Sequence, residues 1–265
     1  MPVEPVAAAT VMLLRDSVAG PEVLLLERHA KCEFLPDAYV FPGGRVDPDD
    51  HALGARVGGL AAADASAALR TVSAEQALGF FVAAIRETFE ESGILLARRR
   101  GESALVDAAH AASLARHRLA VQAGEHSFRE LVVGEDLVLA ADLLAAHAHW
   151  ITPEDSPRRF DTIFFAAETP PGQQALHDGV ELTDHVWVRP EQGLAEYRAG
   201  RRQMILPTWA NLESLLGFAR ARDALAASRR RTLVPILPVM TQRDGVRRIE
   251  IPRGAGYPTV EELLG

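Results

Sequence analysis

Two apolar runs open the chain. Val6–Arg15 and Glu22–Arg28 are rich in Val and Leu and flank Ala19-Gly20-Pro21, which predicts two strands joined by a turn. Phe34–Asp50 holds Pro36, Pro42, Gly43, Gly44 and Pro48, which exclude a long helix and predict a loop. Gly54–Arg70 is rich in Ala and Gly and reads as a helical excursion. Ala74–Ser92 carries the strongest helical pattern, with Leu78, Phe81, Val82, Ile85 and Phe89 on one face. Ser73 is its expected N-cap, with Gln76 completing a capping box, and Gly93 stands where a left-handed C-terminal cap belongs. Glu102–His149 reads as helical throughout, with breaks at Gly124 and Gly134. Phe160–Ala167 and His185–Val188 predict strands, Pro207–Ala226 a helix, and Val246–Ile251 a late strand after the Asp244-Gly245 turn. Strands, a helical block, then strands again predict one α/β domain over residues 1–265, with helical insertions at about 51–72 and 102–149. Residues 51–72 carry few large apolar side chains and are expected to contribute little to the core.

Composition narrows the class. Of 265 residues, 48% are hydrophobic and 24% charged, which suits a globular fold with a sizeable core. Lys+Arg 28 against Asp+Glu 36 gives a net charge of −8, which argues against a nucleic-acid binder and leaves room for a nucleotide enzyme whose anionic substrate is bridged by a metal. Cys32 is the single cysteine, so no internal disulfide or Cys-rich zinc site exists, and a small buried side chain is its default role. No run approaches a membrane span, and the first residues lack a secretory n-region, so a cytoplasmic location is expected. His147-Ala148-His149, placed in a helix, would point its two rings in different directions. The runs Arg98-Arg99-Arg100 and Arg229-Arg230-Arg231 read as solvated faces, and Trp187 and Trp209 as core.

The chemistry-bearing segment is Arg86-Glu87-Thr88-Phe89-Glu90-Glu91-Ser92-Gly93-Ile94. Residues 87, 90 and 91 stand at i, i+3 and i+4, so their carboxylates share a helical face and repel one another. They also lie at the negative end of the helix dipole, where acids are disfavoured. A divalent cation would turn both penalties into attraction; a solvated acidic face partly neutralised by Arg86 is the alternative. Upstream, Phe41-Pro42-Gly43-Gly44-Arg45-Val46-Asp47-Pro48-Asp49-Asp50 offers two glycines for close backbone approach.

Together the two segments resemble the Nudix hydrolase box, G-x5-E-x7-R-E-U-x-E-E-x-G-U, where U is aliphatic. The second half is complete except for Thr88 at the first U. In the first half Gly44 is followed after five residues by Asp50 in place of Glu, and 35 residues rather than 7 separate Asp50 from Arg86. A branch of the family carries such an insertion. Leu24-Leu25-Leu26-Glu27-Arg28 and Phe41-Pro42-Gly43-Gly44 also resemble the motif that precedes the box in coenzyme A diphosphatases, with Leu26, His29, Glu33 and Asp37 departing from it. Trp150-Ile151-Thr152-Pro153 and Arg159–Phe165 look like the inserted-box branch.

The resemblance implies a Nudix-type α/β/α sandwich with a mixed sheet and helical insertions. It implies a pyrophosphohydrolase that uses Mg2+ or Mn2+ to cleave a nucleoside diphosphate linked to a group X. Glu87, Glu90 and Glu91 would hold the metal, with the Gly43 carbonyl as a further candidate ligand. Arg86 would orient Glu87 or Asp50, while Gly44, Asp50 and Gly93 shape the box. Candidate substrate contacts are Arg28, Arg45, Phe34 and Tyr39. The general base is open among Glu90, Glu154, Asp155 and Glu181. The implied partner is a small-molecule nucleotide, with coenzyme A or an acyl-CoA leading over ADP-ribose, NADH or a nucleoside triphosphate. No nucleic acid or membrane partner is expected, and a homodimer is left open. A non-catalytic Nudix-fold ligand-binding protein is the rival from another class.

Overall fold

The computed structural model describes residues 3–29, 37–70, 73–115, 117–123, 125–176, 182–243, 246–251, 256–257 and 261–264. Strands β1 (Val6–Ser17) and β2 (Gly20–Arg28) form the expected hairpin. Gly20, at φ +120°, turns the chain where a side chain would strain it. The next segment departs from a loop. It contains β3 (Tyr39–Val40), β4 (Gly43–Arg45) and a short helix α1 (Pro48–Ala52). Pro48 starts α1 rather than breaking it, because a first-turn N–H has no helical partner to lose, and Asp47 with Asp50 forms a reciprocal capping box.

The excursion that follows holds β5 (Val57–Gly58) and α2 (Ala62–Leu69). It contributes more to the core than its composition suggests. Leu53, Ala65 and Leu69 are buried in the main apolar cluster, and Val57 and Leu60 pack against it. Small alanines let α2 lie close on its neighbour, so a few large side chains suffice. That neighbour is α3 (Ala74–Ser92), whose bounds match the sequence reading. Ser73 caps it by accepting from the Gln76 amide at 3.3 Å. The return half of the expected box is absent, since the Ser73 hydroxyl donates to the Gln76 side-chain oxygen instead. Gly93 closes the helix at φ +73°.

Residues 102–149 are not helical throughout. After β6 (Ala97–Arg99) come α4 (Ala108–Ala115), α5 (Arg118–Gln122) and α6 (Phe128–Gly134), then strands β7 (Leu137–Ala140) and β8 (Ala145–Ile151). Ala and Leu favour helix in isolation, but pairing of β8 with β9 (Phe160–Glu168) overrides that local preference. His147 and His149 therefore sit on a strand. The chain continues through β10 (Leu182–Val188), α7 (Pro190–Arg198), α8 (Leu206–Ser214), α9 (Ala221–Arg229), β11 (Pro235–Ile236) and a meander of β12 (Val239–Arg243), β13 (Val246–Glu250) and β14 (Glu261–Leu264). The single helix expected over Pro207–Ala226 is two helices, broken where Gly217 adopts φ +82°. Cys32 and the Asp244-Gly245 turn lie outside the described residues.

The main sheet runs β10-β2-β1-β9-β8-β11, with β3 on β2 and β4 on β1. It is mixed, since β1 pairs in parallel with β9 and antiparallel with β2 and β4. Alternate side chains divide the core. Ala9, Val11, Leu13, Leu24, Leu26 and Phe165 face α3, and Phe81 and Phe165 bring their ring centroids to 4.7 Å. Met12, Leu14, Leu25 and Phe164 face α8 and α9 on the other side. The result is a sheet between two helical layers, as expected. A second small sheet, β5-β7-β6, draws β5 from inside the split box and the other two strands from beyond it. No helix among the described residues is long and apolar enough to cross a membrane.

Candidate active site

The site is assembled where β4 crosses the last two turns of α3. Gly44 lies against Glu87 so closely that a Cβ there would overlap the carboxylate, and a Cβ on Gly43 would overlap Thr10 of β1. The two glycines thus let β4 slip between β1 and the helix. The Gly43 amide then donates to Glu91 Oε2 at 2.8 Å. It is the amide of Gly43, not its carbonyl, that meets the acid.

Arg86 is the hub. Its Nε and Nη2 donate to the two oxygens of Asp50, both at 2.9 Å, and Nη2 also donates to the Arg45 carbonyl at 2.8 Å. Nη1 reaches Glu87 at 2.8 Å and Glu90 at 3.3 Å, and Asp47 lies 3.6 Å from Nη2. Asp50 is 1% exposed and takes a further hydrogen bond from the Asp47 amide. The long insertion thus loops out and returns Asp50 to Arg86, in the bidentate geometry that makes such pairs strong. Asp47, 3.6 Å from Nη2, is the member of this group that the sequence did not single out. Thr88 replaces an aliphatic residue without an unpaired hydroxyl, because its Oγ1 donates to the Ala84 carbonyl at 2.7 Å.

Four carboxylates therefore share one guanidinium, and the imbalance appears in their protonation. Burial pulls the Arg86 guanidinium down, but its hydrogen bonds to Asp50 and the charges of Glu87, Asp50 and Glu90 outweigh it and hold it protonated. Burial drives the Glu87 carboxyl up against the opposing pull of Arg86. Glu90 is pushed up to about 7, again by burial, with Glu87 and Asp50 opposing the help from Arg86. The surplus negative charge and the exclusively hard oxygen donors are of the chemical kind that suits a hard divalent cation. Among the described residues no three or more His, Cys, Asp or Glu side chains are grouped so as to hold a metal ion. Glu87 and Glu90 turn to Arg86, and Glu91 to the Gly43 amide.

The other candidates fall in different places. Arg28, two residues beyond Leu26 on β2, has its Nε buried with no hydrogen-bond partner among the described residues. Arg45 is exposed. Tyr39 packs with the cluster on the far face of the sheet, under the Arg202 guanidinium at 3.8 Å. Burial raises its hydroxyl, with Arg202 opposing and Glu27 assisting. Glu154 and Asp155 are exposed in the turn between β8 and β9, at the end of the sheet where β1 begins. Phe34 and Glu181 lie outside the described residues. His147 and His149 are not paired on one ion. His147 contacts Ser228 and Ser214, both at 2.8 Å, and His149 binds Asp161.

A mixed sheet between helical layers, with a glycine pair over an R-E-x-x-E-E helix, defines a Nudix-type site, and comparison with known proteins agrees. The chain belongs to the Nudix family: the model of the NUDT19 Nudix domain matches residues 60–214. It is similar to "Acyl-coenzyme A diphosphatase NUDT19" of Gallus gallus, at 30% identity over 94% of this chain and 77% of the relative. The protein of the same name from Xenopus laevis is 28% identical over 95% of this chain and 75% of its own. Among solved structures, a Nudix hydrolase from Alicyclobacillus acidocaldarius superposes with a TM-score of 0.65 at 25% identity, covering 84% of this chain and 96% of the other. Proteins of this family generally use a divalent metal ion.

Proposed function

We propose that this chain is a metal-dependent pyrophosphohydrolase that cleaves coenzyme A or an acyl-CoA. The observation that carries the reading is the Arg86 hub, with buried acids on a family helix whose three glutamates are all present. The substrate class rests on the relatives named acyl-coenzyme A diphosphatases and on the coenzyme A-like spacing from Leu24 to Gly44.

Glu87, Glu90 and Glu91 would hold Mg2+ or Mn2+, which when bound neutralises the pyrophosphate and lowers the pKa of the attacking water. Arg86, fixed by Asp50, keeps Glu87 and Glu90 on one side of the helix. The Gly43 amide holds Glu91. Arg28, whose Nε–H has no partner among the described residues, would offer it to a phosphate oxygen. Water attacks one phosphorus, the bond to the bridging oxygen breaks, and the substrate divides into a nucleotide that keeps its 3′-phosphate and a phosphorylated partner. The water's proton passes to a carboxylate. Glu90, where it does not hold the metal, and Glu154 and Asp155 are the carboxylates to test as its acceptor.

The test is a substrate panel. Purified protein is given acyl-CoA, coenzyme A, ADP-ribose, NADH and nucleoside triphosphates, with Mg2+, with Mn2+ and with chelator, and phosphorylated products are resolved. Metal-dependent cleavage with the highest kcat/KM for the coenzyme A compounds is expected. Preference for ADP-ribose or NADH would overturn the substrate, and no cleavage of any compound would overturn the activity.

A further inference from the structure

The last turn of α3 is held from outside the box. An α-helix leaves its final carbonyls without intrahelical donors. The Glu90 carbonyl would ordinarily accept from the amide of Ile94, but that amide turns to Ser92 Oγ at 3.3 Å. The last regular bond of the helix is that of the Gly93 amide, which donates to the Phe89 carbonyl at 2.8 Å. The Glu90 carbonyl is taken up by Arg118, at the start of α5, which donates from Nε at 3.1 Å and from Nη2 at 2.9 Å. Arg118 is 5% exposed. Its Nη1 lies 3.1 Å from where a Cβ on Gly93 would stand, so the left-handed glycine that ends the helix also makes room for this guanidinium.

We propose that Arg118 is a positioning residue for the metal-holding turn of α3, a role that rests on the reading of Glu87, Glu90 and Glu91 as metal ligands. Three features of its placement support this. The peptide it grips joins Glu90 to Glu91, so one bidentate contact fixes the backbone of two ligand residues together. Its positive charge sits at the negative end of a helix whose final turns are loaded with acids, where a cation is favourable. Its burial and its two donors to one oxygen leave it a narrow range of positions, as a support for a precise site requires. The residues between β6 and β7 are thereby part of the active site's frame, although none is part of the box.

The test compares full-length wild type with Arg118→Met and Arg118→Lys. Mn2+ is titrated into metal-stripped protein without substrate and bound ion is read by calorimetry. In parallel, kcat and KM for an acyl-CoA are measured at saturating Mn2+. Loss of a group that orients metal ligands typically weakens metal affinity about 10- to 100-fold. Arg118→Met is expected to bind Mn2+ at least about tenfold more weakly, with KM for the acyl-CoA changed less than about twofold. Arg118→Lys keeps the charge but not the fork, and should fall between. A folded Arg118→Met protein with wild-type Mn2+ affinity overturns the proposal. Should the Met variant not fold, Arg118→Lys decides: wild-type Mn2+ affinity in that variant overturns it equally. Wild type that binds Mn2+ but cleaves no acyl-CoA refutes the substrate reading alone, whereas wild type that binds no Mn2+ refutes the metal centre and Arg118's role with it.

Discussion

Asp50→Asn separates the hub from the rest of the fold. The side chain keeps its size, but one oxygen becomes an NH2 group that faces an Arg86 donor in either orientation, and in one of them the Asp47 amide as well. Three hydrogen bonds are affected, at 2.9, 2.9 and 2.8 Å. Removing one partner of a buried ion pair typically costs about 3–5 kcal/mol. Here Arg86 retains Glu87 and Glu90, and the loss of one negative charge relieves both, so roughly 2–4 kcal/mol is the better expectation. For a chain of this size that lowers Tm by roughly 5–12 °C. The assay is thermal unfolding in chelator, where metal binding cannot mask the loss, alongside kcat for an acyl-CoA in Mg2+. The kcat should fall about tenfold or more as Arg86 loses its anchor. Asp50→Glu, which restores the residue usual in the box, should not be neutral. At 1% exposure the added methylene has no room and costs about 1–3 kcal/mol. A Tm within 1 °C of wild type for Asp50→Asn would refute the view that this carboxylate anchors the site.

Three further expectations follow from other parts of the molecule. Glu91→Gln keeps the side-chain shape and its bond from Gly43, so circular dichroism should be unchanged while hydrolysis falls at least about a hundredfold; wild-type turnover would remove Glu91 from the metal. His147 is held down to about 3, by burial first and by Arg231 second, so the unfolded chain takes up its proton before the folded one does. Its contribution to stability is complete above about pH 6.5 and declines as pH falls towards 3, by up to about 1.4 kcal/mol per pH unit; urea titrations of wild type and His147→Gln should differ in slope over that window, and equal slopes would contradict it. Replacing residues 59–72 by a Gly/Ser linker should lower stability by several kcal/mol, because it removes the buried Ala65 and Leu69 side chains; an unchanged unfolding midpoint would show that α2 is dispensable.

What the sequence made legible was what short-range signals specify. Ser73, Gly93 and five apolar residues at helical spacing define α3 from within, and apolar runs rich in Val and Leu on either side of a Gly-Pro turn define β1 and β2. The strands of residues 137–151 were hidden because Ala-Ala-His-Ala-His-Trp-Ile carries helix-forming alanines and becomes a strand only against β9. The core role of the insertion was hidden for a related reason: alanine in α2 shows its value only when another helix lies against it. Within the site, the acids on α3 were visible, while the return of Asp50 across 35 residues was open until β4 and α1 were placed. Arg118 left no signal at all. It sits in an Ala- and Leu-rich stretch with no motif around it, and its partner is a backbone carbonyl, which no side-chain pattern can announce.

The split box also bears on how the protein reaches its folded state. With the usual seven intervening residues, the first acid and the arginine would find each other as near neighbours. Here 35 residues must be looped out, and the entropy of closing that larger ring is unfavourable by roughly a further 1.4 kcal/mol. Long-range closures of this kind tend to form late on a folding route. Contacts of Leu53, Ala65 and Leu69 with α3 shorten the effective ring that Asp50 and Arg86 close. The insertion thus offsets, through its own packing on α3, part of the cost of closing the site it interrupts.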